Sequence, residues 1–346
     1  KNLADTDRSV YLEYVKGIDE DVEGFLQAVD RHLEPYLRRA INRVPDVQCL
    51  KDGVAYQIRS GGKQIRAALC TTVCELFGGS YLRALNFAVA IEHLQNFTLI
   101  HDDIADGDSQ RRGQESVWRK FGIPHAINIG DVFVSLSALA ILESTYSQDV
   151  KLKLIRAVSE FGLEIAEGQN LDIDLRQNDS PTMEEYMKCT RKKTGAFLAM
   201  ATVGGAIIGG ASDNDLMALR KFAMLAGTAF QVKDDVLALT GAKGRNVGSD
   251  LLEGKRTLLV IYASQHASAA ERKRLFHILN KPRAVNTSGE IQWSFDLYQK
   301  TGAIKQAEQF AEQLTERAIK HIMMFPETEA KYRLIRLSKY LSRRAH

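Results

Sequence analysis

The chain has 346 residues, 46 lysines and arginines against 43 aspartates and glutamates, a net charge of +3 and 45% hydrophobic residues. That composition can bury a large core and excludes a disordered chain; the near-even charge, with no zinc-finger spacing and no long basic arm, gives no ground for a nucleic-acid partner. No apolar run reads as long enough to span a bilayer. The polar start, KNLADTDRSV, lacks the apolar segment of a secretory signal, so the expected location is cytoplasmic, although the missing initial Met leaves room for a removed leader.

Residues 1–17 read as a tail or short helix, and 18–346 as one all-α domain, a helical bundle. Apolar residues recur at three and four, as in Val22, Phe25, Leu26, Val29, Leu33 and Leu37. No sustained period-two alternation marks a sheet. A helix is expected from about Glu20 to Arg43, ended by Pro45, and another leads to Gly61-Gly62. A third runs from about Lys63 to Phe77, and a fourth starts near Tyr81. After a polar connection come helices at about His125–Ser147 and Val150–Asp174. The segment NDSP breaks the chain at 178–181, and Thr182 with Glu185 makes a capping box. Ser212 or Asp213 caps a helix running to Leu239. Residues 240–254 read as a polar, glycine-rich loop, and the remaining helices are bounded by Pro282, Gly302 and Pro326. Cys70 and Cys74 lie one helical turn apart; with no CxxC, they are read as buried thiols rather than a metal pair.

The fourth helix ends in acid: Asp102, Asp103, Asp106, then Arg111 and Arg112. Carboxylates at i and i+4 share a face and repel unless a cation lies between them. Mg2+ commonly combines one or two carboxylates with phosphate oxygens, and arginines add charge-assisted bonds to phosphate. The stretch alone suits a metal-bridged phosphate site or a solvated acidic turn equally. A second acidic helix end, Asp234 and Asp235, lies far along the chain, and two such ends can build one metal site in a bundle. Gln169 and Asp172 near the end of a third helix can join it. Gly61-Gly62-Lys63 with Arg66, Lys192-Lys193-Thr194, and Arg245 and Lys255 around GSDLLEG supply positive charge between the acidic clusters.

In this order the residues resemble the trans-isoprenyl diphosphate synthase (polyprenyl synthetase) family, most like a geranylgeranyl diphosphate synthase. DDxxD with RRG matches Asp102, Asp103, Asp106, Arg111, Arg112 and Gly113. GGKxxR matches Gly61, Gly62, Lys63 and Arg66; GQxxD matches Gly168, Gln169 and Asp172; KT matches Lys193 and Thr194. FQxxDD matches Phe230, Gln231, Asp234 and Asp235, and GxDxxEGKxT matches Gly248, Asp250, Glu253, Gly254, Lys255 and Thr257. Departures are Ala238 for the third aspartate of the second motif, Gln64 for arginine, Ala67 for proline and Arg245 for lysine.

The resemblance implies an isoprenoid-synthase bundle with a central cavity, three Mg2+ ions (Mn2+ as a substitute) and a homodimer. It implies Asp102, Asp106 and Asp234 as metal ligands, Asp172 as an outer contact, and Asp103 and Asp235 as support. Arg111, Lys193, Arg245 and Lys255 would take an allylic diphosphate; Lys63, Arg66, Gln95 and Arg112 would take isopentenyl diphosphate; Thr194 and Gln231 would steady an allylic cation. Phe97 and Thr98, five and four residues before Asp102, would set the product at C20. Farnesyl or longer products, a terpene cyclase of the same fold, and a non-catalytic subunit are the rival expectations.

Overall fold

Short-range capping sets many of the helix boundaries. Thr182 accepts from the Glu185 N–H while Glu185 accepts from the Thr182 N–H, and Ser212 and Asp215 do the same; each satisfies orphan N–H groups at a helix start. The computed structural model describes residues 22–239 and 247–343; the expected tail and Arg245 lie outside them. The helices are α1 (Val22–Ala40), α2 (Gln48–Arg59), α3 (Ile65–Leu76), α4 (Tyr81–Asp106), α5 (Val117–Phe121), α6 (Ile123–Leu142), α7 (Gln148–Leu175), α8 (Met183–Thr190), α9 (Ala196–Gly209), α10 (Asp213–Ala238), α11 (Ser249–Leu252), α12 (Leu258–His266), α13 (Ala269–Leu279), α14 (Ser288–Lys300), α15 (Ala303–Lys320) and α16 (Glu329–Arg343). The fold is all-α.

Helix α9 is the hub. It is buried along nearly its whole length and packs on α3, α10 and α7. Its approach to α4 is so close that a Cβ at Gly204 would sit 1.8 Å from the Phe87 ring. Phe87 itself is fully buried, and its truncation to alanine would cost about 3–5 kcal/mol. Helix α4 leans on α6 and α3, and α10 leans on α15. Helices α4 and α7 barely touch. The space between them is a cavity of about 1010 Å³.

Several boundaries differ from the expectation for physical reasons. The helix expected at His125–Ser147 runs instead from Ile123 to Leu142. Pro124 falls in its first turn, where no backbone N–H is needed, and Ser147 caps α7 by accepting from Val150 N–H. The polar connection after α4 holds a two-residue antiparallel hairpin, Gln110–Arg111 with Gln114–Glu115. Arg112 and Gly113 both adopt positive φ at its tip, as a tight hairpin turn requires. Within the loop expected at 240–254, Ser249–Leu252 forms the short α11. Helix α6 is also, by length and composition, long and apolar enough to cross a bilayer, which the sequence pattern had not suggested; its inner face packs along α4. All four cysteines are free, with Cys70, Cys74 and Cys189 buried.

Candidate active site

Two acidic helix ends and two groups of cations line one cavity. Asp102 and Asp106 near the C-terminus of α4, Asp234 on α10, and Lys193, Lys255, Arg66 and Arg112 all line it. The apolar part is lined by Phe97, Thr98, Ile165, Phe197 and Met200, among others.

The two neighbouring aspartates of the first motif divide sharply. Asp103 is buried and accepts from Arg111 Nε at 2.8 Å, with a further contact from the same guanidinium. Arg111 also lies 3.5 Å from Asp108. The guanidinium is therefore already engaged by two carboxylates, although Arg111 borders the cavity. Asp102, one residue earlier and about 100° round the helix, makes no hydrogen bond or ion pair with another described residue. Burial pushes its carboxyl above the ordinary range against the pull of Lys193.

Asp106 and Asp172 sit within a mesh of cations. Arg176, the residue that closes the C-terminus of α7 one turn beyond Asp172, donates to Asp106 at 2.7 Å and to Asp172 at 3.2 Å. Lys193 donates to Asp172 at 3.0 Å. Lys255 lies 3.1 Å from Asp250, 2.6 Å from Glu253 and 3.6 Å from Asp106. Burial alone would raise both aspartates, but Lys193, Lys255 and Arg176 hold them below the ordinary carboxylate range. Arg283, from the last third of the chain, donates to the Asp106 carbonyl at 2.8 Å and to Asp108 at 2.7 Å. Arg176 and Arg283 were absent from the expected site. The i,i+4 step from Asp172 to Arg176 was a usable signal; Arg283 had none.

Lys193 and Thr194 lie on a single π-type turn, Arg191–Gly195, a local irregularity frequent at functional sites. Glycines let its neighbours close in. A Cβ at Gly168 would fall 2.3 Å from the Lys193 nitrogen, and one at Gly227 would fall 2.6 Å from the Gly195 Cα. The turn is thus seated between α7 and α10. There Thr194 donates to Gln231 at 2.8 Å, Gln231 donates to Asp235 at 2.8 Å, and Tyr186 donates to the other Asp235 oxygen at 2.7 Å. Asp235 is thereby a buried brace while Asp234 borders the cavity.

The second cation group has Glu92 as its main carboxylate neighbour. Arg66 stacks over the Phe197 ring at 4.5 Å. Burial pulls its guanidinium down to about 10, opposed by Glu92 and reinforced by Arg112. Arg112 is likewise lowered by burial and donates to Ser60 at 3.3 Å. Lys63 donates to Tyr340 of α16 at 2.9 Å. The Gln95 amide oxygen is buried without a hydrogen-bond partner among the described residues. Gln64 and Arg112, both beside this group, are the non-glycine residues with left-handed φ among those described, and such strain collects at ligand sites. Gln64, the departure from arginine, donates to Asp30 at 2.9 Å.

Phe97 borders the cavity while its ring packs on His101 at a centroid distance of 4.5 Å. The Thr98 hydroxyl bonds back to the Gln95 carbonyl at 3.0 Å.

An all-α bundle with a greasy cavity lined by two acidic helix ends and two groups of cations is the arrangement of enzymes that transfer prenyl groups between diphosphates. Comparison with known proteins agrees. Residues 47–297 match the polyprenyl synthetase family. The short chain isoprenyl diphosphate synthase of Methanothermobacter thermautotrophicus is 33% identical, over 94% of this chain and 99% of that one. The geranylgeranyl pyrophosphate synthase of Geoglobus acetivorans is 32% identical, over 95% and 100%. A crystal structure of geranylgeranyl pyrophosphate synthase from Corynebacterium glutamicum, complexed with isoprenyl diphosphate and magnesium, superposes with a TM-score of 0.84 at 27% identity, covering 93% of this chain and 99% of that one. The chain belongs to the polyprenyl synthetase family and is a prenyltransferase.

This family generally uses divalent metal ions. Among the described residues no three histidines, cysteines or acids are gathered closely enough to hold a metal alone. The donor set nonetheless fits. The candidate ligands are hard carboxylate oxygens, no cation among the described residues is bonded to Asp102, and Mg2+ sites are commonly completed by phosphate oxygens.

Proposed function

We propose that this enzyme condenses isopentenyl diphosphate head to tail with an allylic diphosphate and that its main product is geranylgeranyl diphosphate (C20). The observation that carries this reading is that one cavity is lined by two pairs of cations with different main carboxylate partners, Arg66 and Arg112 with Glu92, and Lys193 and Lys255 with Asp106 and Asp172, which suits two diphosphates rather than one. Asp102, Asp106 and Asp234 would hold three Mg2+ ions, with Asp172 as an outer contact; Mn2+ would serve in their place. When bound, Mg2+ acts as a Lewis acid that neutralises the departing diphosphate.

Lys193 and Lys255 bind the allylic diphosphate, joined by Arg245. Arg111 adds charge to the same mouth while its hydrogen bonds stay with Asp103 and Asp108. Lys63, Arg66, Gln95 and Arg112 bind isopentenyl diphosphate. The allylic C–O bond breaks and the electron pair leaves with diphosphate. The isopentenyl double bond then forms the new C–C bond, and a proton passes to the released diphosphate. The oxygens of Thr194 and Gln231 steady the cation, and the apolar wall excludes water that would quench it. Phe97 and Thr98 limit the length of the tail.

The free cysteines suit a reducing cytoplasm. The exposed apolar residues Ile123, Ile127, Val134 and Leu142 on α6 suit burial against a second copy in a homodimer, which analytical ultracentrifugation would register. The deciding experiment omits each substrate in turn. Elongated diphosphate should appear only with both substrates and Mg2+. A hydrocarbon formed from the allylic diphosphate alone would instead identify a terpene cyclase.

A further inference from the structure

Towards the N-terminus of α7 from its acidic end, the cavity wall is formed by Ala166, Ile165, Gly162 and Val158, spaced as one helix face. Gly162 lies in the interior of this 28-residue helix, where glycine weakens a helix relative to alanine. Its φ is not in the left-handed region, and a Cβ placed on it would meet no heavy atom within 4 Å. Gly168 on the same helix differs, because Lys193 presses against it. Neither backbone conformation nor packing requires glycine at 162. What it contributes is empty space in the wall.

We propose that Gly162 is a specificity-determining residue, whose missing side chain leaves room for the end of the prenyl tail and permits the step from C15 to C20. It lies ten residues before Asp172, about 15 Å along the helix axis, whereas Phe97 lies five before Asp102, about 7.5 Å. Both helices carry their acidic residues toward their C-termini, so position 162 is the deeper of the two. Residue 162 and Phe97 then limit length from opposite sides of the gap between α7 and α4. This rests on the elongation reading above.

The test is a series, Gly162→Ala, Gly162→Val and Gly162→Leu, given isopentenyl diphosphate with geranyl or farnesyl diphosphate, the products being sized by mass spectrometry. The C20:C15 ratio should fall stepwise with side-chain volume, by about tenfold or more in the leucine variant, while geranyl diphosphate is still extended to C15. Gly162→Ala should melt no lower than wild type, which separates shortened product from damaged folding. If the leucine variant does not fold, the alanine and valine variants decide. An unchanged C20:C15 ratio in folded Gly162→Val overturns the proposal. Wild-type enzyme that extends no allylic diphosphate overturns the elongation reading, and this proposal with it.

Discussion

Asp103 and Asp102 are adjacent in sequence and opposite in task, and their substitutions should separate stability from turnover. Asp103 is 2% exposed and Arg111 6% exposed. In Asp103→Ala the Arg111 guanidinium stays buried with Asp108 at 3.5 Å as its remaining carboxylate. Breaking a buried pair by removing one partner costs about 3–5 kcal/mol; the residual Asp108 contact places the expectation at about 3 kcal/mol. An unfolding entropy near 2.1 cal/mol/K per residue gives about 0.7 kcal/mol per degree for a chain of 346 residues. The melting temperature should therefore fall by roughly 4 °C. Asp102→Asn removes a charge that desolvation disfavours and that no cation among the described residues bonds, so it should melt at or above wild type while losing turnover. Calorimetric melts in EDTA keep metal out of the comparison. The double variant Asp103→Ala, Arg111→Met should recover most of the loss, because no charge is then stranded. Asp103→Ala melting within about 1 °C of wild type, or Asp102→Asn losing as much as Asp103→Ala, would refute the division.

Three further outcomes follow from the geometry. Burial holds the His93 imidazole down to about 4 from 6.5, so the folded state binds fewer protons than the unfolded state between those values. Its stabilising contribution is present above pH 6.5 and is lost as pH falls through 4. Lowering the pH from 7.5 to 5 should cost about 2 kcal/mol through this group, and His93→Leu should flatten the denaturation-against-pH curve in that window; an unchanged slope contradicts the assignment. Arg283→Ala removes charge-assisted bonds to the Asp106 carbonyl and Asp108 and should lower stability by about 1.5–3 kcal/mol in urea unfolding, with a loss of turnover although it does not line the cavity; a neutral variant contradicts the bracing role. Phe97→Ala should lengthen the product. If mass spectrometry shows no longer chain, the limit lies elsewhere in the wall.

The parts legible in the sequence were the local ones. The capping box at Thr182 and the cap at Ser212 or Asp213 are complete within four residues, and helix periodicity does not depend on tertiary partners. The spacing of Asp102 and Asp106, with the second acidic stretch at Asp234, marks residues that line one cavity. What the sequence did not disclose depends on contact across distance. Arg283 reaches Asp108 over 175 positions, with no motif around it. Arg111 reads as a phosphate ligand from its RRG motif, but the Arg112–Gly113 hairpin turn brings it back onto Asp103. The cavity-facing role of Gly162 depends on what is missing beside it, which only packing reveals. The π-type turn at Lys193 likewise depends on Gly168 and Gly227 admitting close neighbours.

The most direct test of the central claim is product sizing after incubating the purified enzyme with isopentenyl diphosphate and farnesyl diphosphate, with Mg2+ and with EDTA. C20 diphosphate formed only with Mg2+ is the predicted result. Elongation unaffected by EDTA would contradict the account of the metal ligands; farnesyl diphosphate left unextended, or a product that runs well past C20, would contradict the account of the chain-length limit.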